Sequence, residues 1–460
     1  MSASDRSNAR RGEAFYQALL DTETRPVPPS LRETSMPDLG AVRILPAHYV
    51  SPEFHALEME HVWRRVWQVV CREEQIPVVG DTWLYEIGDA SLVLVRTADG
   101  VKAFHNSCLH RGTQLLTVPG RVERLRCPYH GFTWSLEGVL TDMPGRWDFP
   151  DVEPDDLPLP EARVATWGGF VFVNLDPAAP PLEEYLEDLP RHFAAWPLEE
   201  RHVTAHIVRV VPCNWKVALE AFIESFHVTT VHPQLMKTAA DSLTEYDVYG
   251  RHVSRMLTAV GIPSEQLVDT PSEAEVASAL LGPKADVSAV ETGATARQVA
   301  AEGVRASFAR RTGRDFGSVT DAEMLDGIEY FLFPNFMPWG GYLTSFAYTF
   351  RPNGNDPETS VMEIMVLEPL AEGAARPAPP PVRVLGPNET WADVPELGVF
   401  GRVFNQDSAT FARVQRGLRA SVQATTTLSL YQESRIRHLH ATLEHYIDRG
   451  TTPGREKRGS

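Results

Sequence analysis

The sequence predicts an α+β chain in which an all-β domain precedes a larger domain of strands and helices. Three observations carry this prediction. From Gly80 onward, short apolar stretches such as Leu92-Val93-Leu94-Val95-Arg96 are separated by glycine turns, the pattern of brief strands. Longer strand-like runs follow at His202 to Val211 and Ser360 to Leu367, and helical spacing dominates Phe404 to Asp448. Within the first group of strands, Cys108-Leu109-His110-Arg111-Gly112 and Cys127-Pro128-Tyr129-His130-Gly131 place two Cys/His pairs in loops that end in glycine.

Each element follows in chain order. Residues 1–44 read as a helix and then an irregular arm, because a polar start gives way to the Pro-rich stretch Pro26 to Pro37. His55 to Arg72 has the helical spacing Leu57, Val62 and Val66, with Trp63 and Trp67 as core residues. The all-β domain is assigned to 45–173 and the second domain to 174–460. The first strand of the second domain, His202 to Val211, leads into a helix. Residues 264–328, rich in Ala, Glu and Gly, form a helical insertion, and 329–350 form an aromatic strand hairpin around Gly340-Gly341. Ala378-Pro379-Pro380-Pro381 is a linker loop.

Composition narrows the class. The chain has 460 residues, 43% hydrophobic and 23% charged, enough for two cores. Its formal charge of −18 argues against nucleic acid and against an anionic membrane as partners. Only four cysteines are present, so Cys71 and Cys213 are too few beside the loop pairs for a disulfide framework; a reducing cytoplasm is the expected location. Met1 to Leu20 has no apolar core of a signal sequence, and no run approaches the length of a membrane span.

The loop pairs carry the chemistry. Two thiolates on one iron and two imidazoles on the other are what a Rieske 2Fe-2S centre needs, so Cys108, His110, Cys127 and His130 are its expected ligands. A structural zinc site is the alternative, but zinc usually takes a Cys pair followed by a His pair, whereas here each loop supplies one of each.

Residues 214 to 233, Asn-Trp-Lys-Val-Ala-Leu-Glu-Ala-Phe-Ile-Glu-Ser-Phe-His-Val-Thr-Thr-Val-His-Pro, together with these loops, resemble the Rieske non-haem iron oxygenases, specifically their catalytic alpha subunits. The resemblance implies an α+β fold in which an all-β Rieske domain is joined to a helix-grip (START-like) catalytic domain, an antiparallel sheet wrapped on a long helix. It implies mononuclear non-haem Fe(II) on His227 and His232, with a carboxylate completing a facial triad. Asn405-Gln406-Asp407, followed by Val414-Gln415-Arg416-Gly417-Leu418, resembles the family's late segment and nominates Asp407, although Asp ahead of Ser408-Ala409-Thr410 also suits a helix N-cap. Glu224 matches the acidic position that bridges His227 to a cluster histidine, here His130, across a subunit boundary. Ala221 stands where ring-hydroxylating members have Asn.

Spacing refines this segment. On a continuous helix Glu220, Glu224 and His227 share one face. His232, five residues beyond His227, would lie about 140° away, so the helix must end or turn between them.

The implied activity is that of an oxygenase terminal component. It would use dioxygen and electrons from a separate NAD(P)H-dependent reductase or ferredoxin to hydroxylate an organic substrate, or to remove an O- or N-methyl group. No strand followed by Gly-x-Gly-x-x-Gly is present, so a partner must handle the nicotinamide. A homotrimer is implied as well. The hairpin has no arginine between Glu329 and Phe350, which leans towards an apolar aromatic or polycyclic substrate, unless an arginine such as Arg255 or Arg305 reaches the cavity. An electron carrier with the cluster alone, or a hydrophobic-ligand-binding protein with structural zinc, are the rivals from other classes.

Overall fold

The computed structural model describes residues 10–40, 42–282 and 285–451. Residues 1–9 of the segment read for a targeting signal lie outside them. The N-terminal helix spans Arg11–Leu20.

The first domain contains a seven-stranded antiparallel sheet and a three-stranded one. Its strands in chain order are β1 Gln68–Arg72, β2 Asp81–Ile87, β3 Ala90–Arg96, β4 Val101–His105, β5 Gly120–Arg121, β6 Leu125–Arg126, β7 Thr133–Trp134, β8 Leu140–Asp142, β9 Glu161–Trp167 and β10 Phe170–Asn174. The large sheet runs β1-β10-β9-β4-β3-β2-β5, and β6-β7-β8 form the small sheet that carries the second Cys/His loop. A separate apolar core containing Phe104, Phe132 and Trp134 lies beneath the two loops.

The expected helix over 55–72 is corrected. Pro52–Glu58 is helical and widens into a π-turn over Met59–Trp63, but Gln68–Arg72 is a strand. This segment is buried at every position and pairs with β10, so its apolar run reflects burial on both faces rather than a helical stripe. Trp63 and Trp67 are core residues, as expected.

The second domain is built on an eight-stranded sheet: β11 Arg201–Val211, β12 Glu245–Tyr249, β13 Val253–Thr258, β14 Gly327–Leu332, β15 Phe336–Pro338, β16 Phe346–Asn353, β17 Asp356–Pro369 and β18 Arg383–Val384. The order is β12-β13-β14-β15-β16-β17-β11-β18, antiparallel except for the β11 and β18 edge pair. The expected hairpin at 329–350 is a three-stranded meander. Gly340 and Gly341 lie in the turn from β15 to β16, and the Gly340 N–H returns to Ile328 O. The insertion holds the helices Glu273–Leu281, Ser288–Glu291, Ala296–Thr312 and Asp321–Leu325. The single C-terminal helical region becomes two helices, Phe400–Ala420 and Ser434–Thr451, separated by irregular chain.

The sheet's two faces differ. Residues on the Arg255 and Tyr330 face meet the N-terminal arm: Arg255 donates to the carbonyls of Ser30 and Glu33, and the Ser35 N–H donates to Asp247. Further along the same face, Phe336 packs on Phe170 and Phe172 of the first domain. His206, Arg351 and Glu363 also point this way and line a cavity of about 560 Å³ between the domains, with Trp83 and Tyr85 opposite. The other face packs under the two long C-terminal helices.

Glu363 is the anchor of that domain junction. Burial raises its carboxyl, but the hydrogen bond from His206 at 3.0 Å and the nearby Arg351 overcome this and hold it at about 2. A carboxyl lowered on folding stabilises above its unfolded value, about 4.3, and this contribution is lost as pH falls towards the folded value. Glu363→Gln should therefore cost about 1.5–3 kcal/mol at pH 7, with the gap to wild type narrowing in acid. Denaturant unfolding at neutral and acidic pH measures this; an unchanged gap would show that the charge contributes nothing.

Candidate metal centres

The two Cys/His loops fold alike. Cys108 N–H donates to Thr113 O and Gly112 N–H to Cys108 O, while Cys127 N–H donates to Phe132 O and Gly131 N–H to Cys127 O. Gly112 and Gly131 have φ of +77° and +82°, a left-handed conformation that lets each chain double back. The His110 and His130 rings approach to 4.5 Å between centroids, and His110 stacks on Phe132. Burial raises the Cys108 thiol against the backbone N–H groups of His110 and Arg111 that point at it. Burial acts the same way on Cys127, but the N–H groups of Tyr129 and His130, with Cys108 and Thr113, bring it below the ordinary thiol range. Converging N–H donors stabilise thiolate sulfur, and His110 Nδ1 is buried without a protein partner. Two such thiols and two facing imidazoles fit a 2Fe-2S cluster.

The second centre starts from the Asn-Trp-Lys stretch. Asn214 caps the helix Trp215–Glu220 by accepting from the Lys216 N–H. Trp215 fills the core, and Lys216 Nζ is buried against Glu58 at 2.5 Å. The helix stops at Glu220, so Glu220, Glu224 and His227 do not share a helical face, contrary to expectation. Glu220 instead accepts from Tyr49 and meets His440 at 2.7 Å. The loop is pulled away from the helix because the Ser225 N–H donates to Tyr246 Oη. Glu224 then accepts the His227 N–H at 3.1 Å and starts the short turn Val228–Val231.

His227 and His232 flank that turn, with rings 5.1 Å apart. Asp407 reaches them from the interior of the Phe400–Ala420 helix, so it is not a helix N-cap. Its Oδ1 lies 2.8 Å from His232 Nε2 and 3.5 Å from His227 Nε2. One ligand atom from each of the three residues lies within 4.8 Å of the others, a spacing that suits a single metal ion. The outer nitrogens are held too: His227 Nδ1 by Glu224 at 2.6 Å and His232 Nδ1 by Gln406 at 3.0 Å. Sequence reasoning did not assign Gln406, although it directly precedes Asp407. Burial disfavours a charged His227 ring, yet Asp407 and Glu224 carry it up to about 10. Burial raises Asp407, and its hydrogen bonds with His227 and His232 bring it below the carboxylate range. In protein alone, protons balance this carboxylate; a divalent cation between the Nε2 atoms would replace them.

Both oxygens of Glu224 are engaged with its own His227, and among the described residues no hydrogen bond joins it to His130. Aromatic side chains flank the centre. Phe222 lies 5.2 Å from Tyr348 and from Phe350, and Phe404, one turn before Asp407, packs on both Phe222 and Tyr348. Arg255 is committed to Asp247 on the opposite sheet face, and Arg305 to Asp321, so neither supplies the cationic group considered above.

A family model described as the catalytic domain of the ring hydroxylating alpha subunit matches residues 186–449, and one described as the Rieske [2Fe-2S] domain matches residues 66–153. The chain therefore belongs to the Rieske-type ring-hydroxylating alpha subunits, a family of oxidoreductases that use dioxygen. It combines a Rieske 2Fe-2S domain with the catalytic domain of mononuclear iron oxygenases. The glycine betaine monooxygenase oxygenase subunit of Chromohalobacter salexigens is 34% identical over 201 residues, which cover 43% of this chain and 44% of that protein. The biphenyl dioxygenase alpha subunit of Paraburkholderia xenovorans is 33% identical over 204 residues, covering 41% and 44%. The chain thus spans less than half the length of these relatives in the matched region. In fold, it resembles a quaternary ammonium Rieske monooxygenase (TM-score 0.63, 17% identity, 90% of this chain and 99% of the other). It also resembles naphthalene 1,2-dioxygenase (TM-score 0.60, 19% identity, 90% and 94%). No helix among the described residues is long and apolar enough to cross a membrane.

The two loop glycines differ in surroundings. A Cβ on Gly131 would lie 3.2 Å from Arg126 Nη2 and 3.3 Å from Pro144 Cγ, whereas one on Gly112 would meet only Ser107 Oγ at 3.9 Å. Alanine in a left-handed conformation costs about 1–2 kcal/mol at either site. Gly131→Ala should therefore bleach cluster absorbance at a lower temperature than Gly112→Ala; equal midpoints would show that the crowding is relieved freely.

Proposed function

We propose that this chain is the terminal component of a Rieske-type oxygenase, with the cluster on Cys108, His110, Cys127 and His130 and ferrous iron on His227, His232 and Asp407. The observation that carries it is the convergence of Asp407 on His232 from 175 residues away. An electron carrier needs no such convergence in a buried interior. When bound, the cluster supplies single electrons and the ferrous ion the site of dioxygen reduction.

The protein's own part is positional. Glu224 and Gln406 accept from the outer nitrogens of the two ligand histidines, which fixes their tautomers and aims both Nε2 lone pairs at one point. Asp407 supplies the negative charge. In an assembly, Glu224 is the group we assign to link His227 with His130 of a neighbouring subunit, within a homotrimer fed by a separate NAD(P)H-dependent reductase or ferredoxin.

The substrate we propose is organic and largely apolar, hydroxylated beside Phe222, Tyr348 and Phe404. Removal of an N-methyl group is the second reading. It is favoured by likeness to the glycine betaine monooxygenase subunit and by aromatic faces that attract methylated ammonium groups.

A single turnover of pre-reduced protein with labelled dioxygen and a panel of arenes, polycyclics and methylated amines tests the reading. Labelled product, or labelled formaldehyde from demethylation, supports an oxygenase; an iron-replete protein that never consumes dioxygen with any substrate counts against it. Asp407→Ala should lose mononuclear iron and keep the cluster spectrum, and full iron retention would mean another carboxylate serves. Glu224→Gln should keep both centres while slowing oxidation of the reduced cluster in turnover by about 100-fold. An unaltered rate would remove Glu224 from the electron route.

A further inference from the structure

The cavity of about 560 Å³ at the domain junction is lined by none of the residues assigned to either metal centre. Its walls are mostly rings. Trp83 and Tyr85 are two residues apart on β2 and so share a face; they stand on the first domain with Pro119. Pro379, Pro380 and Pro381 of the linker loop stand on the second domain, and Val208 of β11 adds to that side. Domain interfaces are a preferred place for small-molecule sites, and about 300–1,000 Å³ is the size that holds one. An occupant that touches both walls gains dispersion contacts from each.

The polar floor of the cavity is a relay between the domains. Gln75 of the first domain donates to His206 Nδ1 at 2.9 Å, and His206 Nε2 donates to Glu363 at 3.0 Å. Arg351 donates to the other Glu363 oxygen at 3.1 Å and reaches back to Glu86 O of the first domain at 3.5 Å. Gln75 Oε1 accepts the Arg72 N–H, and the Tyr85 hydroxyl donates to Gln68, which does not line the cavity. Among the described residues, the side-chain groups of the lining that make no hydrogen bond are donors, the Trp83 indole N–H and Arg351 Nε–H. The one cation, Arg351, is already matched by Glu363.

We infer that this cavity binds a neutral planar aromatic molecule bearing an oxygen acceptor, an aromatic ketone or aldehyde in class, and that the bound molecule clamps the first domain on the catalytic sheet. The ring lies against the flat faces of Trp83 and the prolines, and the oxygen accepts from a donor of the lining. A neutral acceptor leaves the Arg351 and Glu363 pair undisturbed, whereas an anion would compete with Glu363 for its cation. Because the relay runs from the first domain to the second and back, a molecule that completes the cavity binds the docked domains and stabilises them. The inference rests on the junction and not on the oxygenase reading.

Fluorine NMR of oxidised holoenzyme, without reductant, tests it with 4-fluoroacetophenone and 1-ethyl-4-fluorobenzene, which has nearly the same shape and no acceptor. The ketone should bind about tenfold more tightly than the hydrocarbon and raise the midpoint of thermal unfolding. Val208→Phe, which fills the cavity, and Trp83→Leu, which removes a wall and a donor, should each weaken ketone binding about tenfold with the cluster spectrum intact. Asp407→Ala, at the iron centre, should leave that binding unchanged. If Trp83→Leu fails to fold, Val208→Phe decides. Equal affinity for the two probes, no ketone binding at about 10 mM, or binding that Val208→Phe spares and Asp407→Ala removes would overturn the assignment. Since no reductant is present, the outcome is independent of whether labelled turnover succeeds.

Discussion

Everything in the catalytic domain depends on bringing one carboxylate, Asp407, against two histidines five residues apart in an interior from which water is largely removed. Two constraints follow. The chain between the histidines has to make one turn and no more, and the helix that carries Asp407 has to be held in register with the ligand segment. The turn Val228–Val231 meets the first. The second is met at two points on the long helix: Asp407 bonds His232, and Gln415 accepts from the Asn214 N–H at 3.0 Å at the start of the ligand segment. Asp407 and Gln415 are eight residues apart, so they lie about 12 Å apart along the helix and about 80° apart around it. A helix fixed at both positions cannot slide without breaking one of them.

The electrostatics of the centre follow from that placement. A buried carboxylate without a cation is among the costliest groups a fold can hold. The raised His227 ring and the hydrogen bond from His232 offset that cost for Asp407 in the protein alone. The groups behind the rings, Glu224 and Gln406, serve either state, because each accepts from a nitrogen that stays protonated when the other binds metal. Glu224 adds a second negative charge next to His227, whereas neutral Gln406 backs His232, so the two rings sit in different electrostatic surroundings.

Much of this was legible in the sequence, and the omissions have physical causes. The paired loops 108–112 and 127–131 declare themselves because their candidate ligands are local, each within a few residues of its partner. The histidines 227 and 232 are local too, but the route between Glu220 and His227 was misread as helix. Nothing in Ala221 to Phe226 breaks a helix by intrinsic preference; the break comes from the Tyr246 hydroxyl, which takes the Ser225 N–H from a distant strand. In the same way β1 resembled a helix because a run buried on both faces has no diagnostic period. Gln406 was invisible beside His232 because its placement depends on which face of its helix meets the ligand segment. Arg255 and Arg305, considered for the cavity, were spent on partners brought from elsewhere in the fold.

The sheet's two faces each bury charge, and they satisfy it to different degrees. On the outer face, Arg255 is surrounded by Asp247, Glu245 and the carbonyls of Ser30 and Glu33, and Glu363 by His206 and Arg351. Those networks join the arm and the Rieske domain to the sheet, and full satisfaction makes them rigid. On the inner face, Arg435 bonds Glu329 and Ser254, and its Nη2 has no protein partner. A partly satisfied network destabilises the protein that carries it unless something completes it. The pleat of one sheet thus sets Arg255, Tyr330, Phe336 and Glu363 towards the arm and the Rieske domain and turns Ser254, Glu329 and Tyr348 to the face under the C-terminal helices.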